Sequence, residues 1–396
     1  MSYNFENFNS TKISFGAGNV EKIGEKAKCY GSKALIVTTG PFFEESGLMD
    51  RVRKILKKSS IDSEVFSEVS PNPLTTEVDK GAAFGRKNNC EMIIGLGGGS
   101  SIDAAKAMAI AMGHGGMPIW KFYPGSKGIE EDVTSKTFPI LTITTTSGSG
   151  SHVTCFSVLT NPENKEKPGL GNENLFPKVT IVDPELMLTL PVRMTASTGF
   201  DVLAHGIEAY TSNIATPITD LYCQEALRLV SKNLKLAVKD GSNIAAREGM
   251  ALADTFAGMA ITIAVITLCH GISQTVCGLC NLVHGESLAA MTPHTIRFSM
   301  HENPQKFANI GRILSGSNVV GANEKIPDQE LENTILEVKK IIAEIGLDIP
   351  LSKQGVKREE LPAIAEGSVG YMSGAAELDL RMATKDDVMD ILEKSY

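Results

Sequence analysis

Four side chains in the second half of the chain have the types and spacing to hold a metal ion. Asp201 and His205 stand four residues apart in the segment Gly199 to Tyr210, and on a helix that spacing puts a carboxylate and an imidazole on one face. His270 ends the apolar run Ile261 to Cys269, and His284 follows fourteen residues later in Val283-His-Gly-Glu286. A single histidine beside an apolar helix is more often a hydrogen-bonded core residue than a ligand, so the reading rests on the four together. One carboxylate and three imidazoles suit Fe(II), Zn(II) or Mn(II), with a position left for a substrate oxygen. His114, His294 and His301 show no such pairing, and His152 lies in a Thr/Ser/Gly loop. Cys277-Gly-Leu-Cys280 also has metal or redox spacing. A structural zinc would need a second pair and a redox dithiol a thioredoxin-like context, so these read as packing cysteines.

Two polar segments in the first half could hold a phosphate. Gly95-Leu-Gly-Gly-Gly-Ser-Ser-Ile-Asp103 follows the apolar Ile93-Ile94 and opens an Ala-rich amphipathic pattern. Consecutive glycines can turn sharply and bring backbone N–H groups, at the positive end of a new helix, close to a pyrophosphate. The plainer alternative is a tight strand-to-helix turn, and the run is not the G-x-G-x-x-G fingerprint. A second patch, Thr144-Thr-Thr-Ser-Gly-Ser-Gly-Ser-His-Val-Thr154, follows another apolar run, where open α/β sheets bind ligands. By itself it could equally be a flexible loop; beside the glycine turn the ligand reading gains.

The elements needed to position these residues are legible. Ala34 to Thr38, Met92 to Gly95, Ile140 to Thr144 and Val179 to Val182 are short apolar runs of the kind that form buried parallel strands. Helical patterns such as Gly47 to Lys58 and Ser101 to Met112 alternate with them, which predicts an open, mostly parallel α/β sheet. After Pro191 the chain becomes rich in Ala, Leu, Met, Glu and Lys at helical spacing, predicting an all-α helical bundle. We place an α/β dinucleotide-binding domain at 1-187 and a helical metal-binding domain at 188-396, with a ligand expected in a cleft between two such domains. The 396 residues, 42% hydrophobic, suit two cores better than one.

Composition narrows the function classes. A net charge of -8 without a Lys/Arg-rich block argues against a nucleic-acid or anionic-membrane partner. The most apolar stretch, Met259 to Cys269, falls well short of the roughly twenty residues a bilayer requires and reads as a buried helix. The N-terminus, Met-Ser-Tyr-Asn-Phe-Glu-Asn-Phe, lacks the basic and apolar regions of a secretory signal. Seven cysteines, an odd set mostly in apolar runs, fit a reducing cytoplasm.

Taken together, these segments resemble the iron-containing (group III) alcohol dehydrogenase family over nearly the whole chain. The resemblance begins with Ile13-Ser-Phe-Gly-Ala-Gly18 and Pro71-Asn-Pro73, and continues through Gly97 to Lys106, Thr145 to Thr154 and Ile181-Val-Asp-Pro184. Asp201 with His205, and His270 with His284, complete it. It implies a homodimer or higher homo-oligomer using NAD(H) or NADP(H) and a metal. The pyrophosphate is expected on Gly98, Gly99 and Ser100, and Asn72, Asp103, Thr145, Thr146, Thr154 and Lys167 match cofactor contacts of the family. Thr39, Gly40 and Ser149 are further candidates. Asp201, His205, His270 and His284 match its metal ligands.

Three positions depart from the family pattern. Many NAD-preferring members carry an Asp at the end of the second strand, where this chain reads Thr38-Thr39-Gly40; without that carboxylate a 2′-phosphate is not repelled. Gln274 stands where many relatives have a histidine, and an amide can position an alcohol but cannot take its proton at neutral pH. His152 replaces an acidic residue of the polar loop. The expected chemistry is hydride exchange between a small alcohol or aldehyde and a nicotinamide, with the metal as Lewis acid and no protein general acid. The alternative is a lyase or cyclase of the dehydroquinate-synthase kind, which holds a phosphorylated substrate with Lys and Arg. The ligand-bearing segments 199–212 and 262–292 contain neither, which favours the dehydrogenase.

Overall fold

The computed structural model describes residues 4–319 and 325–396; the first three residues of the N-terminal segment considered above lie outside that range. The chain divides into two compact units, Asn9–Met187 and Leu188–Tyr396, the latter joined by the N-terminal residues up to Phe8. Among the described residues no strand or helix precedes Lys12.

The first unit carries eight strands: β1 (Lys12–Phe15), β2 (Lys33–Val37), β3 (Asp62–Phe66), β4 (Met92–Gly97), β5 (Ile140–Thr144), β6 (Phe156–Val158), β7 (Gly169–Gly171) and β8 (Val179–Val182). Six form one parallel sheet in the order β1-β8-β5-β4-β2-β3. β6 and β7 form a separate antiparallel pair, too short for alternation to reveal. The period-two alternation of strands sends side chains to opposite faces. Leu35, Val37 and Ile93 therefore join one core with the helix Gly99–Gly113, while Ala34, Ile36, Met92 and Ile94 join another with Val52 and Leu56 of the helix Leu48–Lys58. The chain crosses from β2 to β3 on one side and then to β4 on the other, so the order reverses between β2 and β4. Open α/β sheets bind ligands beyond the carboxyl ends of strands at such a reversal. The registers Val37↔Gly95 and Gly97↔Thr144 place the glycine turn there, with the polar loop beside it.

The second unit is helical, with no strand among the described residues. Its central helix, Val192–Thr211, is buried along almost its whole length and packs against Pro217–Lys239, Ile244–Ala264 and His284–Ser299. Small residues permit the close approach: Gly206 faces Leu227, and Gly285 of the His284 helix lies against the Ser197 carbonyl.

One expectation is corrected. The apolar run Met259 to Cys269 is not a single buried helix; Ile244–Ala264 ends, and Leu268–Cys280 begins after a bend of 100°. Val265 turns the chain with φ 59, and the β-branched Val265-Ile266-Thr267 segment is poor helix material. With neither Gly nor Pro at the bend, hydrophobic periodicity alone does not reveal it. The bend starts a new helix at Leu268 and thereby sets the direction in which His270 projects. No single helix among the described residues is long and apolar enough to cross a membrane.

A Cβ at Gly285 would collide with backbone rather than a movable side chain, forcing apart the helices that carry Asp201 and His284. Gly285→Ala is expected to destabilise the protein by about 3 kcal/mol, measured by denaturant unfolding; a change within about 0.5 kcal/mol would show that the helices are not closely apposed at this position.

Candidate metal centre and dinucleotide cradle

In the helical unit, three imidazoles surround one carboxylate oxygen. His270 Nε2 is 3.2 Å from Asp201 Oδ1, and His205 Nε2 and His284 Nε2 are each 3.8 Å from it. The His205 and His270 rings stack with centroids 4.4 Å apart, and His284 meets His270 edge-on at 5.2 Å. Asp201, His270 and His284 each offer a donor atom, and these lie within 4.8 Å of one another. A tetrahedral ion with bonds of about 2.1 Å separates its donors by roughly 3.4 Å, so these three have the chemistry and the spacing for one divalent metal, while His205, beside Asp201, stands outside that set. Asp201, His205 and His270 are buried, and His284 is partly open.

Electrostatics hold this cluster together. Burial alone would raise the Asp201 carboxyl, but the charges of His205 and His284 and the hydrogen bond from His270 hold it well below the usual carboxylate range. Burial opposes a charge on His270 as well. Glu208 and Asp201 on either side overcome that and push its pKa up to about 10. The centre is thus an anionic pocket that stabilises positive charge.

Sequence reasoning missed Glu208. Its Oε1 lies 2.6 Å from His270 Nδ1, and its Oε2 accepts from the Thr267 backbone N–H at 2.7 Å. The signal was present, because Glu208 follows Asp201 by seven residues and His205 by three, on one helix face. Ser273 was also missed; its Oγ is 2.8 Å from His284 Nδ1. Gln274, one turn beyond His270, has a buried Oε1 with no hydrogen-bond partner.

The α/β unit brings the two polar segments together. Gly97 adopts φ 141, and the amide N–H of Thr145 donates to its carbonyl at 3.1 Å. A Cβ at Gly98 would lie 2.9 Å from Thr146 Oγ1, and one at Gly99 2.7 Å from Ser149 Oγ. The glycines are therefore required where the chain rounds into the helix Gly99–Gly113, whose N-terminus has no side-chain cap. Ser100 is half-buried on that first turn. A bare helix N-terminus flanked by hydroxyls is an anion cradle.

Other candidates fall into distinct groups. Asp103 uses both carboxylate oxygens internally, accepting from the Ser151 hydroxyl and, at 3.1 Å, from the Val158 amide. Thr154 is tied to the fully buried Lys106, whose ammonium donates to the Thr154 and Phe156 carbonyls at 2.8 and 2.7 Å. These residues brace the polar loop. Asn72 and Lys167 meet each other, the Lys167 ammonium donating to Asn72 Oδ1 at 2.6 Å. Thr39 and Gly40 lie just past the carboxyl end of β2, where Gly40 takes φ 59 and its amide donates to the Ser67 carbonyl.

His152, in the same loop, is buried and carries no charge at neutral pH, because burial and the Lys106 charge push its pKa down to about 3. In the unfolded chain it titrates near 6.5. Its contribution to stability is therefore complete above about pH 6.5 and is lost as the pH falls toward 3, the range in which the unfolded form binds the extra proton. His152→Gln should flatten the acid-side decline in unfolding free energy by up to about 1.4 kcal/mol per pH unit. Denaturant titrations from about pH 7 to 5 check this; parallel slopes for the two proteins would mean that His152 ionises without unfolding.

Comparison with known proteins agrees with the geometry. Residues 10–184 match the family described as iron-containing alcohol dehydrogenase, and residues 195–396 match the C-terminal part of the Fe-containing alcohol dehydrogenase family. The chain is 33% identical to an NAD-dependent methanol dehydrogenase of Bacillus methanolicus, covering 96% of this chain and 97% of that one. It is 35% identical to a 1,3-propanediol dehydrogenase of Citrobacter freundii over 100% of both. Among solved structures, an archaeal halo-thermophilic alcohol dehydrogenase of a Red Sea brine pool superimposes with a TM-score of 0.95 at 36% identity, covering 100% of each chain. With two-unit architecture, metal-fitting donor set and whole-chain similarity in agreement, this protein belongs to the iron-containing alcohol dehydrogenase family, an oxidoreductase acting on CH–OH groups.

Proposed function

We propose that Asp201, His205, His270 and His284 hold one divalent metal, and that the chain interconverts a short-chain alcohol or diol and its aldehyde with a nicotinamide dinucleotide. The observation that carries this reading is the convergence of three imidazole Nε2 atoms on one buried carboxylate oxygen. When bound, the metal supplies Lewis acidity at the alcohol or carbonyl oxygen, and the dinucleotide supplies the ring that exchanges hydride. Fe(II) accords with the family description, and Zn(II) or Mn(II) satisfies the same donors. The small-alcohol class follows the methanol and propanediol dehydrogenases among the relatives.

This chain's own residues then bind and orient. Asp201 contributes the negative charge that offsets a dication, and the buried histidines limit water around it. Gln274 Oε1, buried without a partner, is an acceptor for a substrate hydroxyl; being an amide it cannot take the proton, which leaves through solvent. The bare amides of Gly98, Gly99 and Ser100 and the hydroxyls of Thr145, Thr146 and Ser149 hold the pyrophosphate. Asp103 and Thr154 keep the loop in shape, and Asn72, Lys167, Thr39 and Gly40 contact the remainder of the dinucleotide. At Thr39 and Gly40 no carboxylate opposes a 2′-phosphate, so NADP(H) is admitted beside NAD(H). The reading includes a homodimer or larger homo-oligomer in the cytoplasm, where each of the seven cysteines keeps its thiol.

The test is chelated protein reloaded with Fe(II), Zn(II) or Mn(II) and offered short-chain aldehydes with NADH and NADPH. Metal-dependent cofactor oxidation is expected with at least one aldehyde; none with any would refute the dehydrogenase reading. His270→Ala should abolish both metal retention and turnover while leaving the helical circular-dichroism signal intact, and turnover persisting in that variant after chelation would remove His270 from the site.

A further inference from the structure

We propose that Glu208 is the positioning residue of the metal centre, holding the His270 ring by its Nδ1–H so that Nε2, turned toward Asp201, is the nitrogen that would meet an ion. The proposal rests on the metal reading above and deepens it, because it states which nitrogen of His270 and of His284 would meet the ion and what enforces the choice.

Glu208 is only 5% exposed, and both its oxygens are engaged by donors. Oε1 is 2.6 Å from His270 Nδ1. Oε2 accepts from the Thr267 amide at 2.7 Å, the Thr267 hydroxyl at 3.2 Å and the His270 amide at 3.3 Å. These amides open the helix Leu268–Cys280, and Thr267, its N-cap, makes no side-chain capping bond of its own. A carboxylate from the neighbouring helix thus caps the His270 helix and grips the His270 ring at once. An ionised carboxylate can only accept, so Nδ1 must donate and Nε2 is the nitrogen left for an ion.

The backbone leading into this cap is strained to reach it. Val265 sits at φ 59, ψ -172, a region that is essentially reserved for glycine. A β-branched residue persists there only where its surroundings over-determine it, and the bonds from Thr267 to Glu208 lie two residues further on.

His284 is set the same way by a hydroxyl relay. The Ser287 hydroxyl donates to the His284 carbonyl at 2.8 Å, which uses its only proton. In the 2.6 Å contact between Ser273 and Ser287, Ser273 is therefore the donor. Its oxygen, 2.8 Å from His284 Nδ1, is left to accept from Nδ1–H. His284 Nε2 is then the nitrogen that would meet an ion, and it lies 3.8 Å from Asp201 Oδ1.

Zinc affinity, measured by chelator competition, tests the proposal together with the nitrogen chemical shifts of isotope-labelled histidine. Glu208→Gln keeps the shape but puts an NH2 group against a donor in either orientation. It is expected to weaken zinc binding about 10–100-fold and to shift the His270 proton toward Nε2, while NADH binding followed by fluorescence stays unchanged. Ser287→Ala frees the Ser273 hydroxyl to donate to His284 Nδ1 and is expected to weaken zinc binding several-fold; it keeps the test open if Glu208→Gln does not fold. Wild-type zinc affinity with unchanged histidine shifts in the folded variants would overturn the positioning role and leave the metal site standing. A wild-type protein that binds no zinc, Fe(II) or Mn(II) would overturn the metal reading itself, and this inference with it.

Discussion

A carboxylate buried among apolar helices must be compensated, and the helical unit is organised around that requirement. Asp201 sits in the middle of a helix that is covered along nearly its whole length, where an unpaired ionised carboxyl would be expelled or protonated. Three imidazoles supply the compensation, and each must arrive from a set direction. His205 comes from the next turn of the same helix, His270 from the first turn of a helix that starts after a sharp bend, and His284 from the first residue of another. Gly285, where the His284 helix meets the central one at the Ser197 carbonyl, lets those two backbones come close enough for this to happen. The geometry that satisfies a buried charge is also the geometry of a metal-binding donor set.

The α/β unit solves a related problem with backbone rather than side chains. Parallel strands β4 and β5 end side by side, so the glycine turn after one and the hydroxyl-rich loop after the other necessarily meet. The loop is not left to find its own shape. Lys106, fully buried, reaches the carbonyls of Thr154 and Phe156, and Asp103 accepts from Ser151 and Val158. A buried ammonium and a half-buried carboxyl group from one helix brace the loop, and the start of that helix has no side-chain cap.

Much of this was legible from residue types and spacing. The strands β5 and β8 coincide with apolar runs, the Leu48–Lys58 helix with its periodic pattern, and Asp201 with His205 share a face because the helix repeat requires it. Glu208 belonged to the same face but attracted no notice, since a glutamate on a helix is usually a solvated residue and only burial marks it otherwise. The bend at Val265 was invisible for a different reason. The segment carries neither Gly nor Pro, and its positive φ is imposed by tertiary contacts against the preference of a β-branched side chain.

By itself the sequence determined the alternation of strands and helices, the glycine turn and the four metal-fitting side chains, because local periodicity and residue chemistry are written along the chain. Only the tertiary structure decided that side chains separated by up to eighty-three positions meet around one oxygen, which nitrogen of each ring faces it, and which polar residues brace the loop. Those outcomes depend on where helices cross and which donors and acceptors become buried together, and neither quantity is a property of any short segment.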